Sequence, residues 1–372
     1  MKPLVMTRTA QIRLGQLLMI IVAWMLFGVM MTVYDHLVVH SGNSLGASDS
    51  YSFWFSLSMN TGSGLIGALL GGTMMVFYIN IKYRDKPYGQ TILAVALGYA
   101  AVIGFIVLIL AAVFVPLRTG KPLSDPVTQE ALRHFLSDTT RIKNVMTWSV
   151  VVAFTQLVLQ INNKFGQGNF INIIRGKYQI PKQEKRIFMF LDINGSTTIA
   201  ERLGDERYHM LLKDFFADIT NPILDNRGQI YQYVGDEVVI AWNYSDGTEN
   251  SRCVRCFFDI KKSIRDAAER YQSRYGLVPT FKAGIHCGTV VAGEVGIIKR
   301  DITYSGDVLN TTSRIQRMCH RFNEEVIASA NLLKELRTVD QFMFRALGTL
   351  KLRGREQEIA LAAIGPAYAS AN

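Results

Sequence analysis

Hydrophobic residues along this chain change rhythm once. Before Lys164 they come in long, nearly unbroken runs; after Arg186 they fall into short strands and helical stripes divided by turn residues. Four runs stand out: Leu14 to Val33, Phe53 to Ile79, Ile92 to Leu117 and Val145 to Ile161. A helix needs about 20 apolar residues to cross a bilayer core, with about 17 as the lower bound. The first three runs therefore predict membrane spans. The fourth is short and carries Gln156 and Gln160, a composition that an interfacial or core helix also tolerates. Beyond Lys164, the stretch from Arg186 to Ile193 predicts a buried strand. Thr198 to Leu224 has helical period, with Leu203, Met210, Leu211, Phe215, Phe216 and Ile219 on one side. QIYQYV and EVVIAW predict two strands around Gly235-Asp236, a hairpin signal. One long helix follows from about Thr248 to Tyr275, then the strand TFKAGIHC, a turn at Gly288 and the strand VVAGEV. Short strands are expected around Gly348 and Gly354.

Strand–helix–strand, taken twice, is a ferredoxin-like order: an α+β arrangement with helices on one face of an antiparallel sheet. With 372 residues, two parts are expected. The pattern divides them into a four-helix transmembrane domain at 1–163, a juxtamembrane connector at 164–184, a globular domain at 185–366 and a tail at 367–372.

Charge adds an orientation. Lys and Arg are retained on the cytoplasmic side of a membrane. Lys2, Arg8 and Arg13 precede the first span, and Lys82, Arg84 and Lys86 fill the loop between the second and third. Lys164, Arg175, Lys177, Lys182, Lys185 and Arg186 follow the fourth, while Asp35 to Tyr51 holds no Lys or Arg. The expectation is an integral protein of the plasma (inner) membrane with both termini in the cytoplasm and no cleavable signal. The net charge of +10 crowds the membrane flanks, where it meets anionic lipid rather than nucleic acid. Cys253, Cys256, Cys287 and Cys319 all lie in the cytoplasmic half, which argues against structural disulfides. The Cys253/Cys256 CxxC lacks a second ligand pair at zinc spacing and reads as two small residues on one helix.

Candidate chemistry begins at FLDINGST, Phe190 to Thr197, where a strand delivers Asp192 and then breaks into small residues. In the expected sheet Asp192 and Asp236 face each other across adjacent strands. Converging carboxylates are what a pair of Mg²⁺ ions needs, since Mg²⁺ takes hard oxygen ligands. Two solvated turn aspartates would give the same spacing.

Five segments, in order, resemble the class III nucleotide cyclases: FLDINGST, YVGDEVV, KAGIHCGTVVAGEVG, YSGDVLNTTSRI and LGTLKLRGREQEI. The resemblance covers about Lys185 to Ile364. It implies a class III cyclase catalytic domain that closes a nucleoside triphosphate into a cyclic 3′,5′-monophosphate and releases pyrophosphate. It also implies two Mg²⁺ or Mn²⁺ ions held by Asp192, Asp236 and the carbonyl of Ile193. By the same resemblance Asn310 orients the ribose and Arg314 neutralises the transition-state phosphate. The backbone amides of Asn194, Gly195, Ser196 and Thr197, at a helix start, form an anion site. Lys351, Arg353 and Arg355 are candidates for the outer phosphates. Metal and Asn/Arg residues of one family site come from different chains, so four in one chain imply a homodimer with composite sites. The family reads its base four residues before the second metal Asp, usually with Lys for ATP and Glu for GTP. Here that residue is Gln232, with Thr303 at the partner position. Thr303 fits adenine, whereas a Gln amide serves either base. ATP is the expected substrate, with a guanylate or dual-specificity cyclase, or a silent cyclase-like receptor, as alternatives. The GG-acid-acid-Phe turn of a diguanylate cyclase is absent, because the chain reads Val234-Gly235-Asp236-Glu237-Val238.

Three further signals stand apart. Gly67 and Gly71 form a GxxxG that serves contacts either between protomers or within one bundle. His36 and His40 are spaced for a metal or a pH response, or are simply interfacial polar residues. The connector GQGNFINIIRGKYQIPK is expected to pair with its twin as a short coupling helix ended by Pro181.

Overall fold

The computed structural model describes residues 8–41, 52–83, 86–137, 139–165, 175–298, 300–337, 341–351 and 358–367. The chain divides into two compact units, Ile12–Phe170 and Ile171–Asn372 together with Met1–Gln11. Four helices are long and apolar enough to cross a membrane, the fourth within Pro126–Lys164. They are α1 (Arg8–Ser41), α2 (Phe53–Lys82), α3 (Tyr88–Thr119) and α5 (Thr139–Phe165), with the amphipathic α4 (Pro126–Ser137) before the last. α2 is wound as π-helix over Ala68–Gly72 and Met75–Ile79.

The bundle interior holds Trp24, Ala68, Met75, Val76, Ile79, Val95, Val152 and Leu159, while Leu26, Leu70, Leu97 and Phe105 point outward. An apolar exterior of this extent needs a cover other than water. Small residues set the helix spacing. A Cβ on Gly28 would lie 2.7 Å from the Asn60 carbonyl oxygen, and one on Gly64 would lie 2.8 Å from that of Trp24. Gly67 faces the Trp24 ring and Gly71 the Tyr99 hydroxyl, so the GxxxG pair makes contacts within one bundle. The polar residues of the last span turn inward: fully buried Gln156 donates to the Asn80 side-chain oxygen at 3.2 Å. Lys143 pairs with Asp35 at 2.8 Å, tying α5 to α1. The His36 and His40 rings lie with centres 4.1 Å apart and planes tilted by 45°, and Phe53 meets His36 edge-on. The coupling helix expected in the connector falls largely on residues 166–174, outside the described residues; Arg175 to Gln179 form a turn before Pro181.

The second unit is built on one mixed sheet. Its strands are β1 (Lys182–Ile193), β2 (Gln229–Val234), β3 (Glu237–Asn243), β4 (Phe281–Val295), β5 (Asp301–Ser305), β6 (Val326–Ser329), β7 (Phe342–Lys351) and β8 (Glu358–Pro366). They run in the order β2-β3-β1-β4-β6-β8-β7, with β5 on the far end of β4. Only the β4–β6 pairing is parallel among those described. The first four strands of that order are the expected ferredoxin-like core.

β1 is buried on both faces. Ile187, Met189, Leu191 and Ile193 meet Leu211, Phe215 and Ile219 of α7 (Asp205–Asp225) and Phe257 and Ile260 of α8 (Arg252–Asp266). Phe188 and Phe190 point the other way, toward Val239, Val290 and Val308. That opposite face is partly covered by α10 (Asp307–Phe322), so helices occupy both sides of the sheet. α9 (Ala268–Tyr275) clamps α7: the Tyr271 hydroxyl donates to Asp218 at 2.6 Å and the Tyr275 hydroxyl to Asp214 at 2.7 Å.

Three expected elements are revised. The helix over Thr198 to Leu224 is two helices, α6 (Ser196–Leu203) and α7, broken at Gly204, whose φ is +75°. The long helix to Tyr275 is also two, since Ala267 leaves helical geometry between α8 and α9. Gly288 makes no turn: β4 runs unbroken through it, and its missing Cβ accommodates Val308, whose Cγ2 would lie 2.6 Å away. The four cysteines are buried free thiols; burial pushes Cys253 up to about 12 and raises Cys256, as befits core residues of α8.

Candidate active site

β1 ends with Asp192 in register with Glu237 of β3 on one side and Lys282 of β4 on the other. The two-residue turn Gly235-Asp236 joins β2 to β3, with Gly235 at φ +66°, a conformation glycine takes without steric cost. Asp236 thereby sits beside Asp192, close enough for their side chains to share a hydrogen bond. Burial, then Asp236, pushes the Asp192 carboxyl up to about 6, against the opposing donation of Gln316 and the Ile193 amide. Glu237, unnoticed in the sequence, is the register partner of Asp192 on β3: burial, then the charges of Asp192 and Asp236, raise it to about 7. Crowded, half-buried carboxylates of this kind favour an added positive charge. Among the described residues no three His, Cys, Asp or Glu side chains converge as a ready metal cage. The donors present are hard carboxylate and carbonyl oxygens, with no thiol or imidazole among them, and this chemistry fits Mg²⁺ or Mn²⁺.

The chain then turns through Asn194 and Gly195 into α6. The Asn194 amide N–H already donates to the Thr280 carbonyl at 2.9 Å, and its side chain reaches the Thr280 hydroxyl at 3.1 Å. This corrects the four-amide expectation: the Asn194 amide is already engaged, and Asn194 pins the turn. Tyr208 stands over this corner, its hydroxyl bonded to Ser196 and its pKa raised by burial and then by Asp236.

α10 carries the other expected residues. It lies directly on β4 at Gly284, where a Cβ would come 2.3 Å from the Gln316 backbone nitrogen. From there Gln316 Nε2 donates to Asp192 Oδ2 at 3.3 Å, a contact between residues far apart in sequence. Arg314 is two positions earlier, about 160° around the helix from Gln316 at 3.6 residues per turn. It therefore lies on a different side of the helix from Gln316, close to the side that carries Asn310. Asn310 is exposed, and the buried Nη1 of Arg314 has no partner among the described residues. The structure thus brings Asp192 and Asp236 together, and the residue of α10 that reaches them is Gln316.

Gln232 is exposed on β2 beside a bulge at Tyr231, and Thr303 is half-buried on β5. Their neighbours link the two strands: the Tyr231 and Tyr304 rings lie 5.0 Å apart, and the Tyr304 amide donates to the Tyr231 hydroxyl at 3.3 Å. The Arg186 guanidinium lies 5.3 Å from the Tyr304 ring centre, which fixes β5 further. Lys351 is exposed at the end of β7, while Arg353 and Arg355 lie outside the described residues.

A sheet of this order, with acids at the β1 end and the β2–β3 turn, has known counterparts. Residues 179–363 match the model of the adenylate and guanylate cyclase catalytic domain. They belong to that family. The cyclase domain is 41% identical over 204 residues to adenylate cyclase 2 of Rhizobium meliloti, a match covering 55% of this chain and 56% of that protein. It is 33% identical over 172 residues to adenylate cyclase 1 of the same organism, covering 45% of this chain and 25% of the relative. The chain thus spans about half or less of the length of these curated relatives. In fold it is similar to a bacterial light-regulated adenylyl cyclase, with a TM-score of 0.51 at 19% identity, covering 59% of this chain and 64% of that one.

Proposed function

We propose that the chain is a membrane-anchored adenylate cyclase that forms cyclic AMP and pyrophosphate from ATP and acts as a homodimer in intracellular signalling. The observation that carries this reading is the division of labour around α10. Asp192 and Asp236 meet at the end of β1, while Arg314 and Asn310 lie on a different side of α10 from Gln316, the residue that contacts Asp192, as a site shared with a second copy would require.

Asp192, Asp236 and the carbonyl of Ile193 would hold two Mg²⁺ or Mn²⁺ ions, which supply acidity to the ribose 3′-hydroxyl and neutralise the phosphates. The amides of Gly195, Ser196 and Thr197 hold phosphate oxygens at the start of α6. Asn310 of the second copy orients the ribose for attack on the α-phosphate. Arg314 of that copy meets the charge that grows there, a role worth a few kcal/mol by analogy with oxyanion donors. Gln232 and Thr303 read the purine, and the outer phosphates fall to the basic cluster of Lys351, Arg353 and Arg355. The anchor is a four-span membrane domain in the plasma membrane with both termini cytoplasmic, supported by the four apolar helices and the basic flanks.

GTP is the second reading, favoured by one observation: Gln232 is exposed and its amide can either donate or accept. The names of the relatives, all adenylate cyclases among those cited, weigh toward ATP. The test is product analysis with the purified full chain, ATP or GTP, and Mg²⁺ or Mn²⁺. Cyclic AMP is expected to dominate, and Asp192→Ala or Asp236→Ala to abolish it in folded protein. Turnover of neither nucleotide would refute the assignment.

A further inference from the structure

We propose that Gln316 is a positioning residue: it orients the Asp192 carboxylate for divalent cations and, through α10, ties the two composite sites of a dimer together. The inference rests on the two-metal, composite-site reading given above. Its geometry does not depend on any bound group. Gln316 Nε2 occupies one acceptor direction of Asp192 Oδ2, at 3.3 Å, and leaves the remaining lone pairs of the carboxylate for an ion. The Ile193 amide binds the same carboxylate, so two neutral donors hold it without supplying a competing charge.

The donor is also rigidly backed. The backbone of α10 at Gln316 touches Gly284, and Gly284 is paired with Phe190 of β1, two residues before Asp192. One turn on, the Cys319 thiol donates to the Ala283 carbonyl at 3.2 Å. The helix cannot shift along β4 at this point without moving the Gln316 amide from its carboxylate. Because Arg314 lies about 160° around the same turn, that displacement also re-aims the guanidinium serving the other site. A neutral side chain thus joins one site's carboxylate to the other site's cation.

Partners that orient metal ligands change affinity by about 10- to 100-fold when removed. The test is Mn²⁺ binding to the full chain in detergent, without nucleotide, read by electron paramagnetic resonance of free Mn²⁺. Gln316→Met keeps length and removes the donor; Gln316→Ala removes both. Both are expected to weaken Mn²⁺ binding by about 10- to 100-fold. Added Mn²⁺ should restore much of their activity. Arg314→Ala should bind Mn²⁺ normally yet stay inactive at every Mn²⁺ concentration. A Gln316→Met variant that binds Mn²⁺ as the parent does, while Asp192→Asn does not bind, overturns the role of Gln316 alone. Normal binding by Asp192→Asn overturns the metal-site reading itself, and this inference with it.

Discussion

Paired inactive variants give the sharpest test of the composite site. Asp192→Ala removes the carboxylate at the end of β1, and Arg314→Ala removes the cation on the opposite side of α10. Losing one transition-state donor costs about 10²- to 10³-fold in kcat, so Arg314→Ala should retain at most about one percent of parent activity. Asp192→Ala should fall lower, since on the proposed two-metal reading it removes a ligand of both ions. In a two-fold dimer each site takes its acids from one copy and its Asn and Arg from the other. A heterodimer of the two variants then has one intact site and one carrying both lesions. Isolated through two different affinity tags, it should show about half the activity of a parent dimer. A heterodimer of the parent with a doubly substituted chain is the mirror control: each site now carries one lesion, and activity should nearly vanish. If each site were built within one chain, the two results would exchange places. Cyclic nucleotide formation by the isolated heterodimers decides between them, and the exchanged pattern would falsify the composite arrangement.

Three other outcomes follow from particular contacts. Gln232→Lys should raise the ATP-to-GTP ratio of kcat/KM by roughly five- to a hundred-fold, from about 1–3 kcal/mol per mismatched polar contact; Gln232→Glu should lower it, and equal losses on both nucleotides would clear Gln232 of reading the base. Gly284→Ala places a Cβ 2.3 Å from helix backbone rather than a yielding side-chain tip. It should destabilise the cyclase domain by about 1–3 kcal/mol or more, and a melting temperature equal to the parent's would contradict the close seating of α10. Reporter fusions should place residues 36–50 outside the membrane and both ends inside; a cyclase domain on the outer side would overturn the charge argument.

The sheet core was legible because a short unbroken apolar run and turn chemistry mark it: both β1 and the hairpin at Gly235-Asp236 lie where their residues predict. Glycines were harder to read. Gly204 does break a helix, but Gly288 and Gly284 are small because α10 presses on the sheet, and nothing local separates those two uses. The acids at Asp192 and Asp236 were visible in their motifs, whereas Glu237 read as an ordinary strand start. Gln316 was invisible for another reason: its partner is brought close only by tertiary packing. Asn194 shows the converse, since its motif suggested a free amide and the neighbouring Thr280 had already engaged it.

The glycine notches of the membrane bundle limit how it can move. The backbone of α2 meets that of α1 at Gly28 and Gly64, and the Tyr99 hydroxyl of α3 occupies the space above Gly71. A piston slide of one residue, about 1.5 Å, would drive Tyr99 out of its recess and against side chains on either flank. Tilting or rotation about those same points keeps the notches filled. A change of angle between these helices is therefore easier than a slide, with the glycine contacts as pivots.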